Sequence, residues 1–281
     1  RMRTLHTIAE TKGVRGEMHK GGSLIGCVPT MGALHRGHMS LLQQANLEND
    51  IVVCSIFVNP IQFNKKEDLE KYPRTLKTDI TKLEETSCDV LFAPSVEEMY
   101  PEPVLEKFDF GHLDKVMEGA HRPGHFNGVA IVVKKLFEII MPHRAYFGMK
   151  DYQQLKIVEA MVDKLGMDVK IVACRTEREK DGLAMSSRNV RLTKHERSIA
   201  PVIGRVLKGL KDKVGKVSPE EAEKWAVNQI NKYDEMDVEY LSIVGANDLL
   251  PVKSWDEKPS LVACTAVNLG KVRLIDNLIL F

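Results

Sequence analysis

Short runs of apolar and β-branched residues, Leu24 to Val28, Ile51 to Val58, Val90 to Phe92, Ala145 to Phe147 and Val169 to Val172, are separated by stretches with helical periodicity. A strand covered on both faces reads as an unbroken apolar run, and parallel neighbours need a crossover element between them. The rhythm therefore predicts a parallel α/β sheet. The clearest crossover follows Asn127, where Val129, Val132, Val133, Leu136, Ile139 and Ile140 share one helical face before Pro142 stops it. Another, N-capped by Asp151, places Leu155, Val158, Met161, Val162 and Leu165 on a stripe. These stripes are core. Beyond about residue 176 the pattern changes to amphipathic helices near 194 to 214 and 219 to 232, then strands near 236 to 244, 260 to 268 and 271 to 280. The expected organisation is a larger α/β domain over 1–176 and a smaller α+β domain over 177–281.

At 281 residues the chain is long enough for two such cores. Its 40 Lys and Arg against 39 Asp and Glu leave a net charge of +1, which argues against a general nucleic-acid or membrane surface while allowing a local basic pocket. The cysteines, Cys27, Cys54, Cys88, Cys174 and Cys264, are odd in number, widely spaced and mostly set in apolar runs, as free buried thiols in a reducing compartment would be. No apolar run reaches leader or membrane-spanning length, and no Asn-x-Ser/Thr sequon occurs. The expectation is a cytoplasmic protein with no nucleic-acid and no membrane partner.

The segment from Leu24 to His38 passes from an apolar strand through a glycine-bearing turn to two histidines at the mouth of a helix. A helix N-terminus offers unpaired N–H groups and the positive end of the peptide dipole. His35 and His38, with Gly37 between them to spare a Cβ, add imidazole N–H donors that reach a phosphoryl oxygen without a permanent charge. Zinc is the weaker reading, since no Cys-x-x-Cys or His-Glu-x-x-His supplies further ligands. For a lone histidine a helix cap is the better account; two, with Gly32 and Gly37 after an apolar strand, favour an anion site. Nowhere are glycines spaced Gly-x-Gly, and no Gly-x4-Gly pair is followed by Lys, so neither the dinucleotide fingerprint nor the P-loop is present.

Further segments carry polar chemistry. Asp181 to Asn189 combines hydroxyls with the Arg188 guanidinium, a set suited to triphosphate oxygens, although by itself it reads as an ordinary polar loop. Phe147 to Gln154 lies where a strand ends and a helix begins, the place where open α/β sheets bind ligands, with Lys150 to neutralise phosphate or simply to be solvated. Ser55 to Phe63 offers the uncharged amides of Asn59 and Gln62 to a hydroxylated or carboxylated small substrate; the plainer reading of Asn59-Pro60 is a turn.

Pro29 to His38, Phe57 to Phe63, Arg122-Pro123-Gly124-His125-Phe126, Lys150 to Gln154 and Asp181 to Asn189 together resemble the pantothenate synthetase (pantoate–β-alanine ligase) family, and the resemblance runs from about residue 24 to Asp276-Asn277. His-x-Gly-His alone indicates only the wider nucleotidylyltransferase superfamily. The resemblance implies a Rossmann-like N-terminal domain, a C-terminal domain that closes over the site, a homodimer, and ATP as substrate with Mg²⁺ held chiefly by phosphate oxygens and water, no protein metal ligand being assigned. It also implies ATP-dependent condensation of pantoate with β-alanine through a pantoyl adenylate, releasing pyrophosphate and AMP. His38 would be the catalytic histidine and His35 its phosphate-binding neighbour. Met31, Gly32, Ala33, Leu34, His35, Arg36, Gly37 and His38 would line the ATP site, completed by Gly148, Met149, Lys150, Asp151, Glu177, Met185, Ser186, Ser187 and Arg188. Gln62 and Gln154 would hold pantoate, beside Asn59. Met149 and Glu177 depart from the family pattern, which carries glutamate and valine there; a backbone contact to adenine survives the second change.

Two rival functions share the histidine turn. A nucleotidylyltransferase acting on a phosphorylated acceptor would want cations where this chain has Asn59, Gln62 and Gln154. A non-catalytic nucleotide sensor would release no AMP in response to β-alanine.

Overall fold

The computed structural model describes residues 2–281 and divides into two compact units. The first comprises residues up to Phe110, Arg122–Met149 and Ile157–Arg175; the second comprises Gly111–His121, Lys150–Lys156 and Thr176–Phe281. The chain thus passes between them several times, and the last segment of the second begins at Thr176.

The first unit is built on strands β1 (Arg3–Leu5), β2 (Ile25–Thr30), β3 (Ile51–Ile56), β4 (Val90–Phe92), β5 (Arg144–Gly148) and β6 (Lys170–Cys174), ordered β1-β4-β3-β2-β5-β6 with every pairing parallel. Strand β1 is too short and too polar to announce itself in the sequence; its register with β4 alone places it. The crossovers are α1 (Ile8–Lys20), α2 (Arg36–Glu48), α3 (Lys66–Glu70), α4 (Leu76–Glu84) and α5 (Val96–Met99). After α6 (Glu118–His121), which belongs to the second unit, the first continues with α7 (His125–Ile140). The next helix, α8 (Tyr152–Leu165), begins in the second unit and ends in the first. Buried Val28, Leu34, Leu42, Val52, Cys54, Leu83, Leu91 and Tyr146 form one core layer of the sheet.

The second unit packs α9 (Lys194–Ile199), α10 (Val202–Leu210) and α11 (Pro219–Ile230) with an antiparallel sheet of β7 (Met236–Gly245), β8 (Leu261–Leu269) and β9 (Val272–Ile279) in that order. The single helix expected over 194 to 214 is two, because Pro201 has no N–H to continue the ladder and its ring opposes the preceding turn. Thr193 with Glu196, and Ser218 with Glu221, close capping boxes at the starts of α9 and α11. Arg273 on β9 holds Glu118 at 2.6 and 2.9 Å and also pairs with Glu239, tying the short 111–121 segment to the sheet.

All five cysteines are buried and free. Burial raises every thiol above its ordinary range, Cys88 and Cys174 to about 11 and Cys264 to about 12. Among the described residues no helix is long and apolar enough to cross a membrane.

Candidate active site

The histidine turn forms where β2 runs into α2. Gly32 and Ala33, two and three residues past the strand end, both take positive φ, +79° and +49°, and turn the chain toward α2. A non-glycine residue rarely stays in that region unless something holds it. What holds it is Asp79 in the first turn of α4: its buried carboxylate accepts the Ala33 and Leu34 N–H groups at 2.9 and 2.8 Å and the Thr75 hydroxyl at 3.0 Å. Lys82, one turn on, donates to the Leu34 carbonyl at 2.6 Å. Sequence reasoning singles out neither residue, since an Asp and a Lys on a helix look like solvated surface.

His35 is the N-cap of α2, its Nδ1 accepting the Gly37 N–H at 3.1 Å, while His38 Nδ1 accepts the His35 N–H at 3.2 Å. The two rings are 4.1 Å apart, tilted by 46°. This is a capping box in which imidazoles replace the usual hydroxyl and carboxylate. A backbone N–H can only donate, so both Nδ1 atoms must be acceptors and both neutral rings carry their proton on Nε2. The capping alternative is realised through Nδ1, and it leaves each ring's proton on the opposite nitrogen. Arg36 is exposed and Gly37 lies within the first turn of the helix.

In the same unit, Asn59 and Gln62 flank Pro60 in a 3-10 turn after β3. Asn59 is 1% exposed and Gln62 7%, so neither is a surface amide. Asn59 Nδ2 donates to the Gly128 carbonyl and to Gln62 Oε1, each at 3.0 Å, and its Oδ1 accepts the Tyr100 hydroxyl at 2.9 Å. Because a carbonyl can only accept, Gly128 fixes which end of the Asn59 amide is nitrogen, and Asn59 in turn fixes Gln62. The Gln62 amide consequently presents Nε2, which lies 3.3 Å from Met31 Sδ. Burial raises the Tyr100 hydroxyl far above its usual range, keeping it a donor. His125 Nδ1 bonds the Gln62 carbonyl at 2.8 Å. Nothing in the sequence connects Tyr100 to this turn, which lies 41 residues away.

Gly148 ends β5 and Met149 begins a 3-10 turn, Met149–Asp151, that leads into α8. In the second unit, Lys150 Nζ lies 3.7 Å from Asp151 Oδ2, Gln154 is partly buried in the first turn of α8, and its neighbour Gln153 is buried, donating to the Leu113 and Val116 carbonyls at 2.8 Å. Glu177 and Met185 face each other across a small hairpin, with the Met185 N–H donating to the Glu177 carbonyl at 2.9 Å. Ser186 caps the turn Ser187–Arg191, which carries Arg188, and all of residues 185 to 188 are partly exposed.

A six-stranded parallel sheet with a two-histidine capping box at the start of α2, followed in the chain by a small antiparallel sheet, defines an α/β protein with a smaller antiparallel unit. The sequence profile of the pantoate-β-alanine ligase family matches residues 3–279, and the chain belongs to that family. It is an enzyme, an acid–amine ligase of pantothenate biosynthesis. The pantothenate synthetase of Porphyromonas gingivalis strain W83 is 50% identical over 277 residues, 99% of each chain, and that of Bacteroides fragilis strain YCH46 is 47% identical over 99% of this chain and 98% of its own. The crystal structure of the Thermus thermophilus pantothenate synthetase superimposes with a TM-score of 0.92 at 45% identity over the whole of both chains. That of the Francisella tularensis pantoate-β-alanine ligase, complexed with β-γ ATP and β-alanine, gives 0.83 at 36% identity over 100% of this chain and 98% of its own.

Proposed function

We propose that this ligase works by adenylation: the pantoate carboxylate attacks the α-phosphorus of ATP, pyrophosphate leaves, and the β-alanine amine attacks the pantoyl adenylate to give pantothenate and AMP. A free carboxylate resists an amine because it is anionic and has no good leaving group; the mixed anhydride removes both obstacles. In this reading the protein forms no covalent bond to substrate. It holds the reactants in line and supplies donors where charge grows on the α-phosphate and the departing pyrophosphate.

The observation that carries the reading is the pair of Nε2–H donors set by backbone caps at the N-terminus of α2. His38 acts as the catalytic donor and His35 as its phosphate-binding neighbour, with Met31 to Gly37 lining the nucleotide. Gly148 to Asp151, Glu177 and Met185 to Arg188 supply the remaining ATP contacts, Lys150 and Arg188 bringing positive charge. Gln62 offers Nε2 to a pantoate oxygen, and Gln154 does the same from α8. The division of labour falls near Thr176, residues 1–176 taking nucleotide and pantoate and 177–281 completing the ATP contacts. The Francisella relative's complex with β-γ ATP and β-alanine supports ATP and the amine as ligands. Among the described residues no group of three or more His, Cys, Asp or Glu is placed to hold a metal ion. In this reading a Mg²⁺ accompanying ATP takes its oxygens chiefly from phosphates and water, in keeping with its reluctance to dehydrate. The family resemblance also implies a homodimer, which sedimentation would check.

Pantoate labelled with ¹⁸O in its carboxylate tests the route. Adenylation places one labelled oxygen in AMP, released only when β-alanine is present. Label in inorganic phosphate, with ADP as the other product, would overturn it in favour of an acyl phosphate.

A further inference from the structure

Strand β9 of the second unit alternates until Asp276 and Asn277, two consecutive polar residues that are only 5% and 6% exposed. A buried carboxylate beside a buried amide needs partners, and the partners lie in two separate segments of the same unit. The Arg178 guanidinium meets Asp276 with both nitrogens at 2.8 Å, gives its Nη1 to the Gly182 carbonyl at 3.0 Å and its Nη2 to the Asn277 carbonyl at 3.2 Å. Its hydrogen bonds to Asp276 raise the guanidinium above its ordinary value, so Arg178 stays charged. Arg178 and Gly182 are the two sides of the hairpin whose outgoing strand becomes Met185 to Arg188; Arg178 pairs with Ala184, Glu179 with Leu183, and Asn189 Nδ2 returns to the Ala184 carbonyl at 3.0 Å. On the other side, Asn277 Nδ2 donates 2.8 Å to the carbonyl of Lys150. That carbonyl can only accept, so the amide orientation is unambiguous. Helix α10 closes over the junction at Gly204, where a Cβ would lie 2.9 Å from the Gly182 carbonyl and 3.2 Å from the guanidinium.

We propose that Asp276 and Asn277 are positioning residues for ATP: one dipeptide on β9 holds the two segments of this unit that the proposed function assigns to ATP, Lys150–Asp151 through Asn277 and Met185–Arg188 through Arg178. This rests on the reading that Lys150 and Arg188 contact ATP. Neither Asp276 nor Asn277 touches the nucleotide itself. Since both anchors sit on one peptide of a three-stranded sheet, Lys150 and Arg188 keep a common register and are displaced together when that peptide moves.

The test is a pair of double-mutant cycles on the full chain, read as KM for ATP and KM for pantoate separately. Asn277→Ala removes the donor to Lys150, and Asp276→Asn halves the clasp on Arg178. Each is expected to raise KM for ATP at least tenfold and to leave KM for pantoate within twofold. In the Lys150→Ala background, Asn277→Ala should add less than a further twofold, and the same holds for Asp276→Asn in the Arg188→Ala background. Fold-changes that multiply, or a KM for pantoate that rises as much as that for ATP, would overturn the proposal. If Lys150→Ala and Arg188→Ala themselves leave KM for ATP unchanged, the ATP reading fails and takes the proposal with it, a result distinct from the first. Should Asp276→Asn fail to fold, Gly204→Ala perturbs the same hairpin from α10, and the Asn277 cycle decides the matter independently.

Discussion

The histidine turn of the first unit and the 177–191 segment of the second are built on opposite plans. His35 and His38 are fixed by hydrogen bonds to backbone two and three residues away, so a short stretch of chain orients its own rings. Arg178 and Lys150 are fixed by β9, across 98 and 127 residues of sequence. Local fixation survives small movements of the surrounding domain; long-range fixation makes the segment as rigid as the sheet that carries its anchor, and no more. The first plan also leans on the clamp of Asp79 and Lys82 on Ala33 and Leu34.

The sharpest way to break this contrast is His38→Ala. Loss of one preorganised donor should raise the barrier to adenylate formation by about 3 kcal/mol, on the order of a hundredfold in rate, with pantoate binding little changed; single-turnover pyrophosphate release from ATP and pantoate measures it, and a wild-type rate would remove His38 from the chemistry. Next is Asp79→Asn, which sets an amide NH₂ against backbone N–H groups. It should cost about 2 kcal/mol in urea unfolding and lower turnover as well; a stability loss with full activity would show that the histidine turn holds itself without the clamp. Smaller still is Tyr100→Phe, which removes the donor to Asn59 and should cost about 1 kcal/mol while raising KM for pantoate more than KM for ATP. An unchanged KM for pantoate would mean that Gly128 alone suffices to orient the Asn59 and Gln62 amides.

The same contrast explains what can be read from the sequence. The parallel sheet is legible because its strands are continuous apolar runs, and the histidine turn because all its parts lie within Gly32 to His38. Strand β1 is not, because Arg3-Thr4-Leu5 carries no apolar run whereas the equally short β4 does, and periodicity alone runs through the break in the 194–214 helix although Pro201 stands in it. Asp79, Lys82 and Tyr100 have no local signature: an acid, a base and a tyrosine in or beside short helices become site-shaping residues only once the backbone brings a distant turn to them. Asp276-Asn277 does leave a trace. Two adjacent polar residues inside Leu274 to Leu280, otherwise apolar, mark a strand position where polarity has a buried purpose.

The buried thiols carry a last consequence. A thiol whose pKa is raised to about 11 presents roughly a hundredth of the thiolate that an ordinary one does at neutral pH, and burial denies reagents access as well. In the folded enzyme an alkylating probe should therefore find almost nothing, and each cysteine that labels reports an opening event. Cys27, Cys54, Cys88 and Cys174 belong to the first unit and Cys264 alone to the second. The chain thus comes with its own unfolding clock, one whose hands, read site by site by mass spectrometry, tell which half of the molecule lets go first.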